Sequence, residues 1–149
     1  MKLKYFLPSI LMAFGSCSNQ KSNSLDDKIQ GTWELLSATT IEHGKQTTTN
    51  FTNDLKMIKV INKSHFSFLK HSTHANDSVS FDAGGGRYTI KGDEYTEYLD
   101  FYKDKNWEGK TFYFKVSFNQ DTLIQKGVEK VEKANVDRVI IEKYIKLNK

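Results

Sequence analysis

A carboxylate in an apolar setting is the most informative chemical group in this sequence. In the segment YTEYLDFY, alternation places Tyr95 and Glu97 on the same face as Leu99 and Phe101. A carboxylate on the inner face of a sheet is costly unless it meets a hydrogen-bond partner, a cation or a ligand. Glu97 is therefore predicted to orient a bound molecule. The alternative is that a bulge shifts the register and leaves Glu97 hydrated at a rim.

Other segments also place polar groups among apolar ones. Tyr88 shares a face with Ile90, and Gln125 shares one with Leu123. The segment TFYFKVSF has a wholly apolar face, which consists of Phe112, Phe114, Val116 and Phe118. If these faces point inward, they enclose an apolar space with a few polar groups, which is typical of a small-molecule pocket. The competing interpretation is a core that these aromatic side chains fill completely.

The histidines offer weaker chemistry. His65 lies on a strand, where a structural hydrogen bond is favoured over ligand contact, and an acid/base pair with Glu97 is the enzymatic alternative. His71 and His74 have a spacing that suits a metal, but they fall in a polar loop with only Asp77 as an acidic neighbour. A solvated loop is therefore favoured. No catalytic residue, metal site or cofactor is predicted.

The N-terminal segment MKLKYFLPSILMAFGSC has the order of a secretory signal: basic residues, an apolar stretch, then small residues. Cys17 is the only cysteine. Because cysteines of exported proteins usually pair, a lone one at this position is better explained by attached lipid. The sequence predicts a cleaved signal over residues 1–16, a lipidated cysteine and flexible tether over 17–29, and a domain over 30–149.

The tripeptide Gly15-Ser16-Cys17 resembles a bacterial lipobox, with Phe14 in place of the usual Leu or Val. This resemblance implies a diacylglyceryl group on the Cys17 sulfur. Ser18 follows where an aspartate would, by resemblance to enteric sorting, retain a lipoprotein in the inner membrane. An exported protein anchored in the outer membrane is therefore favoured.

Length and charge narrow the function classes. A chain of 149 residues with 38% hydrophobic and 13% aromatic content is long enough for one domain with a real core. The net charge of +4 falls to +2 without the signal, because residues 1–16 carry two lysines and no acid. Lysine and glutamate are interspersed rather than segregated. A nucleic-acid partner is therefore not expected. The protein is expected to be a monomer.

From Gly31 onward, apolar residues recur with a period of two. The segment TWELLSATTI is predicted as a first strand with Trp33, Leu35 and Ser37 on one face, and HGKQTTTNFTND as a loop. Hairpins are predicted around the turns NKS, GD and NQD, and RVIIEKYIKL as the last strand. The GGG run before Tyr88 predicts a bulge or a sharp barrel corner. Only GVEKVEKANVD has any helical character.

About eight sequential strands without helical crossovers exclude a parallel sheet. An antiparallel up-and-down barrel is favoured over a sandwich, because closure removes the exposed edges that eight strands otherwise leave. The predicted fold class is thus all-β, with a single barrel after the signal and tether.

Several motifs of this barrel resemble a lipocalin-like family of bacterial secreted lipoproteins. Gly31-Thr32-Trp33 is similar to the G-x-W that opens lipocalin barrels. The other matching motifs are His65-Phe66, Gly84-Gly85-Gly86, Gly92-Asp93-Glu94-Tyr95-Thr96-Glu97, Gly109-Lys110 and Ile141-Glu142-Lys143-Tyr144. The resemblance implies a calycin-type barrel, with Trp33 packed across its closed end, and binding of a small molecule. It implies no reaction.

Three functions remain open at this stage. The first is a membrane-tethered protein that binds a small apolar or amphipathic ligand. The second is an interaction or inhibitor module with a filled barrel core, and the third is an enzyme that uses Glu97 and His65. The predicted ligand-contacting residues are Trp33, His65, Tyr88, Tyr95, Glu97 and Gln125.

Overall fold

The computed structural model describes residues 24–74 and 81–147. Within these ranges the chain forms one short helix, nine strands and a 3₁₀ turn at Glu132–Ala134. The elements are α1 (Leu25–Ile29), β1 (Gly31–Glu42), β2 (Lys45–Asn50), β3 (Leu55–Ile61), β4 (His65–Ser72), β5 (Asp82–Lys91), β6 (Glu94–Tyr102), β7 (Thr111–Asn119), β8 (Thr122–Val131) and β9 (Val136–Lys146). No helix in these ranges has the length and apolar character needed to cross a bilayer.

The predicted barrel is confirmed. From β3 to β9 each strand pairs with the next in antiparallel register, and β1 pairs with both β3 and β9. Eight strands therefore close into a ring, so no unpaired edge is left in that ring. The hairpins predicted around the turns NKS, GD and NQD are all present.

The segment predicted as a loop after β1 contains a strand instead. β2 folds back along the distal half of β1, and the hydroxyls of Thr39 and Thr48 lie 2.9 Å apart across the pair. Every residue of β2 is exposed. Because neither face of β2 is buried, its threonine-rich sequence shows no alternation of apolar and polar residues, and the pattern did not predict a strand. β-branched residues such as threonine nevertheless suit a strand.

Two bulges change which side chains face inward. On β1 the register with β9 shifts between Leu35 and Ser37, so the predicted inner face continues with Ala38 rather than with Ser37. On β6 one extra residue lies opposite Gly86, and Phe101 turns outward with 69% of its surface exposed. Both inward predictions, for Ser37 and Phe101, are therefore wrong, because a bulge reverses alternation beyond it.

The glycine run forms the predicted irregularity of the barrel wall. A Cβ atom on Gly86 would lie 1.9 Å from the carbonyl oxygen of Tyr98. No side chain fits such a distance, so glycine is required where the β6 bulge presses against β5.

The barrel has one closed end, which α1 covers. The Ser24 side chain caps α1, Ile29 is fully buried, and the Trp33 indole donates a hydrogen bond of 2.7 Å to the Ile29 carbonyl. The last part of the predicted tether, residues 24–29, thus forms a capped helix against the barrel, because Ile29 supplies apolar surface that packs against the core. Cys17 and the predicted signal lie outside the described residues.

The opposite end is open. It is framed by the β1–β2 turn, the 51–54 connection, the 103–110 loop and the 132–135 turn. The segment GVEKVEKANVD is not a helix: β8 extends to Val131, and Asn135 ends the 3₁₀ turn with a φ of 53°. The cavity of the barrel lies between this mouth and the closed end.

Candidate functional site

A cavity of about 300 Å³ opens at the mouth and runs into the barrel. Its walls are largely apolar, because the inward faces of the strands alternate with solvent-facing polar residues. The apolar lining includes Leu35, Phe51, Met57, Leu99, Phe112 and Ile140. From the predicted inward faces of β7 and β8, Phe112, Phe114 and Gln125 line this open space, and these aromatic side chains do not fill it.

The floor of the cavity is a buried polar cluster. Lys59 is only 3% exposed, and its ammonium donates to Glu97 Oε1 at 2.5 Å and to Gln125 Oε1 at 3.0 Å. Strands β3, β6 and β8 each contribute one of these side chains. Such an arrangement is tolerated in an apolar interior only because each buried charge has a partner.

Aromatic rings surround the same ammonium. The Lys59 Nζ atom lies 5.3 Å from the ring centre of Phe66, 5.7 Å from that of Tyr95 and 5.6 Å from that of Tyr144. At these distances the negative faces of the rings attract the cation. Lys59 is therefore held rigidly at the bottom of the cavity.

Glu142 on β9 brings a second carboxyl group to the cavity wall. Burial raises the pKa of Glu142 to about 7; the nearby Glu129 and Glu97 also raise it, while Lys59 opposes them. Within residues 24–74 and 81–147, no cation lies within ion-pair distance of this carboxyl group. The carboxyl group of Glu142 is therefore expected to lose its proton near neutral pH.

Two tyrosine hydroxyls complete the cluster. Burial raises the pKa of Tyr95 and Tyr144 well above the usual value of 10, and the neighbouring carboxyl groups of Glu97 and Glu142 add to the effect. Both phenols are therefore neutral. Glu97 lies near the Tyr95 hydroxyl and Glu142 near the Tyr144 hydroxyl, but neither hydroxyl makes a full hydrogen bond with a described residue, so each retains capacity for a further partner.

The charges nearer the mouth are mutually satisfied. Arg138 lies 2.7 Å from the Glu129 carboxylate. Asp82 accepts a hydrogen bond of 3.0 Å from the Tyr102 hydroxyl and lies within 3.7 Å of the Lys70 ammonium. Trp107, from the 103–110 loop, packs against the Tyr102 ring at the same level.

The structure separates the predicted ligand-contacting residues into two groups. Glu97 and Gln125 line the cavity, and the buried Tyr95 packs beside them. Tyr88 lies toward the closed end instead, where its hydroxyl donates to the Asn62 carbonyl at 2.7 Å. Trp33 also lies at the closed end, beside Phe118, and does not line the cavity. Tyr88 and Trp33 therefore lie outside the lining of this cavity.

His65 is also outside the cavity. Its side chain is exposed on the outer surface and does not line the cavity, and its Nδ1 lies 2.8 Å from the Ser64 hydroxyl, so the favoured structural hydrogen bond is present. Because Glu97 faces inward, the barrel wall separates the two side chains, and the proposed acid/base pair does not exist.

His74 also lies on the surface, 3.2 Å from Asp54. Among the described residues no three His, Cys, Asp or Glu side chains cluster to hold a metal.

Sequence reasoning missed Lys59 and Glu142. Both have a readable signal, since Lys59 alternates with Met57 and Ile61, and Glu142 lies between the inward Ile140 and Tyr144. The pattern does not predict a buried charge at these positions, because long charged side chains usually extend their charged ends to water.

Comparison with known proteins identifies the architecture. A lipocalin-like protein from Bacteroides uniformis superimposes with a TM-score of 0.50 at 18% sequence identity, over 80% of this chain and 99% of that chain. No protein-family model matches the sequence, and no curated protein matches it. The chain therefore has a lipocalin-like fold.

Proposed function

We propose that this protein binds one small amphipathic molecule inside its barrel. The observation that carries the proposal is the cavity of about 300 Å³ with apolar walls and the buried Lys59–Glu97–Gln125 cluster at its floor. Apolar walls supply affinity, and a few fixed polar groups supply orientation, as in most small-molecule sites. The volume is at the lower end of the range for such sites, which favours a small ligand.

The cavity also weighs against the alternative of an interaction or inhibitor module with a filled core. A barrel of eight strands can be plugged by its own side chains. Here Phe112 and Phe114 line the cavity without closing it. The lipocalin-like fold also supports a binding role, because such barrels usually serve binding rather than catalysis.

Filling the cavity should abolish binding. We expect the neutral fluorophore N-phenyl-1-naphthylamine to bind the purified protein saturably with one-to-one stoichiometry. Ala38→Trp puts an indole into the cavity and should lower the affinity at least about tenfold. The matched control is Ser117→Trp, because Ser117 is exposed on the outer face of β7. Fluorescence titration provides the measurement, and circular dichroism verifies that both variants fold.

An equal affinity for the probe in the Ala38→Trp variant would place the binding on an outer surface and contradict the proposal. Native mass spectrometry of protein purified from its own host then identifies the natural ligand by its mass. A host-purified protein that carries no additional mass, together with an unaffected Ala38→Trp variant, would remove the reason to expect an internal ligand.

We also propose that the protein is exported and anchored through lipid on Cys17, with the outer membrane favoured. The N-terminal sequence carries this proposal, and the described chain enters the barrel at its closed end through α1. An anchor there would leave the mouth directed away from the bilayer.

The anchor has a direct test. Cys17→Ala should leave the protein at its precursor mass and without acyl chains, because lipid attachment precedes signal cleavage in this pathway. Intact-mass spectrometry of membrane fractions measures both. An unchanged mature mass with unchanged lipid content would show that Cys17 is not the attachment site.

A further inference from the structure

We infer that the ligand of this cavity is a small amphipathic amine, whose protonated amino group pairs with Glu142. This inference rests on the proposed binding function and names the chemical class of its ligand. It depends on which charges around the cavity already have partners and which does not.

The cations that line the cavity are all accounted for. Lys59 lies 2.5 Å from Glu97, Arg138 2.7 Å from Glu129, and Lys70 3.7 Å from Asp82. Glu142 is the remaining charged group of the described lining, and no cation of the described chain is within ion-pair distance of it. Glu142 is therefore the charged group of the described lining with which a cationic ligand could pair.

The groups around Glu142 suit an ammonium group. Glu142 lies opposite Gln125 on β8 and Ala38 on β1, so it is level with the polar floor. The buried Tyr144 hydroxyl lines the cavity and lies close enough to the Glu142 carboxyl group to lower its pKa, without a full hydrogen bond to any described residue. An ammonium group has several donors and no acceptor, so a carboxylate and a phenol oxygen can satisfy it together.

A carboxylate ligand fits the same site poorly, although Lys59 is at the floor. The Lys59 ammonium is already enclosed by Glu97, Gln125 and three aromatic rings. An incoming anion would also face the carboxyl groups of Glu97 and Glu142. Like charges at close range in a buried site repel strongly.

The titration of Glu142 agrees with this assignment. Its pKa is raised to about 7 by burial; Lys59 on β3 and the Tyr144 hydroxyl on the same strand lower it, while Glu129 on β8 and Glu97 on β6 raise it further. The strand β1 contributes only the uncharged Ala38 opposite this group. A bound cation favours the ionised carboxylate, so binding of an amine is coupled to loss of the Glu142 proton.

The test compares three probes with the same chain: octylamine, octanol and octanoate. At pH 7.5 we expect octylamine to bind the purified protein at least tenfold more tightly than octanoate, with octanol between them. Glu142→Gln should weaken octylamine at least tenfold and change octanol by less than about twofold. The matched control is Glu34→Gln, because Glu34 pairs with Lys56 on the exterior and does not line the cavity. Isothermal titration calorimetry gives all the affinities.

A second measurement separates charge pairing from shape. Between pH 7.5 and pH 5.5 the octylamine affinity of the unmodified protein should fall roughly tenfold or more, because the free Glu142 becomes protonated. The Glu142→Gln variant should show no such fall.

The outcomes distinguish the two proposals. Tighter binding of octanoate than of octylamine, or unchanged octylamine binding in Glu142→Gln, would overturn the assignment of an amine while the binding function stands. Failure of all three probes, together with no effect of Ala38→Trp on the fluorophore, would overturn both.

Discussion

Replacing Lys59 with methionine is expected to destabilise the barrel by roughly 3–5 kcal/mol at pH 7. Methionine fills a similar volume but leaves the Glu97 carboxylate buried without a cation, and Gln125 loses its donor. An unpaired buried charge costs far more than the pair contributes, since desolvation is no longer offset. Urea denaturation followed by tryptophan fluorescence measures the change in the free energy of unfolding.

The double variant Lys59→Met/Glu97→Leu tests the cause. Removing both charges leaves an apolar floor, so most of the loss should be recovered, because buried pairs are often replaceable by apolar residues at little cost. Lys56→Met is the matched control, because Lys56 pairs with Glu34 at a partly exposed position and should cost less than about 1 kcal/mol. A single variant as stable as the unmodified protein would mean that Lys59 and Glu97 are not a buried pair.

Replacing Glu142 with glutamine is expected to stabilise the empty protein by on the order of 3 kcal/mol at pH 8 and hardly at all at pH 4. The folded pKa of Glu142 is about 7 against an ordinary value of 4.5. The folded state therefore binds the extra proton between these values, and stability falls as the pH rises through this window. Glutamine cannot ionise, so the variant avoids that loss.

The measurement is the difference in unfolding free energy between the two proteins from pH 4 to pH 8. Taking the difference cancels the other titrating groups, and Glu34→Gln provides a surface glutamate for comparison. A flat difference across the range would contradict an elevated Glu142 pKa. A difference that grows toward acid pH would reverse its sign and show that the carboxylate is stabilised in the folded state.

Polar groups around the cavity are expected to lower the free energy of unfolding of the empty barrel. With its pKa raised to about 7, the ionised form of Glu142 is expected to cost stability in the empty barrel, and the buried Tyr95 and Tyr144 hydroxyls make no full hydrogen bond within the described chain. Groups that cost stability and face a cavity are typical of binding sites, where a ligand compensates them. Ligand binding should therefore stabilise the fold more at pH 8 than at pH 5.

Most of the strand architecture could be predicted from local pattern. Alternation along β7 and β8 identified the inward faces correctly, and the turn residues marked the hairpins, because both are properties of short segments. The same local rule placed Glu97 and Gln125 inside the barrel. It failed at β2, where threonines on both faces produce no alternation.

The sequence alone thus determined a closed antiparallel barrel with a carboxylate and an amide inside it. Which side chains meet was decided by contacts between distant positions: Lys59 joins Glu97 and Gln125 across 38 and 66 residues of chain. The bulges beside Leu35 and Gly86 arise from strand pairing, so they reverse faces that a periodic pattern extends unchanged. The charge state of Glu142 likewise depends on carboxyl groups from other strands, since electrostatic energy in a buried site is set by the neighbours that folding supplies.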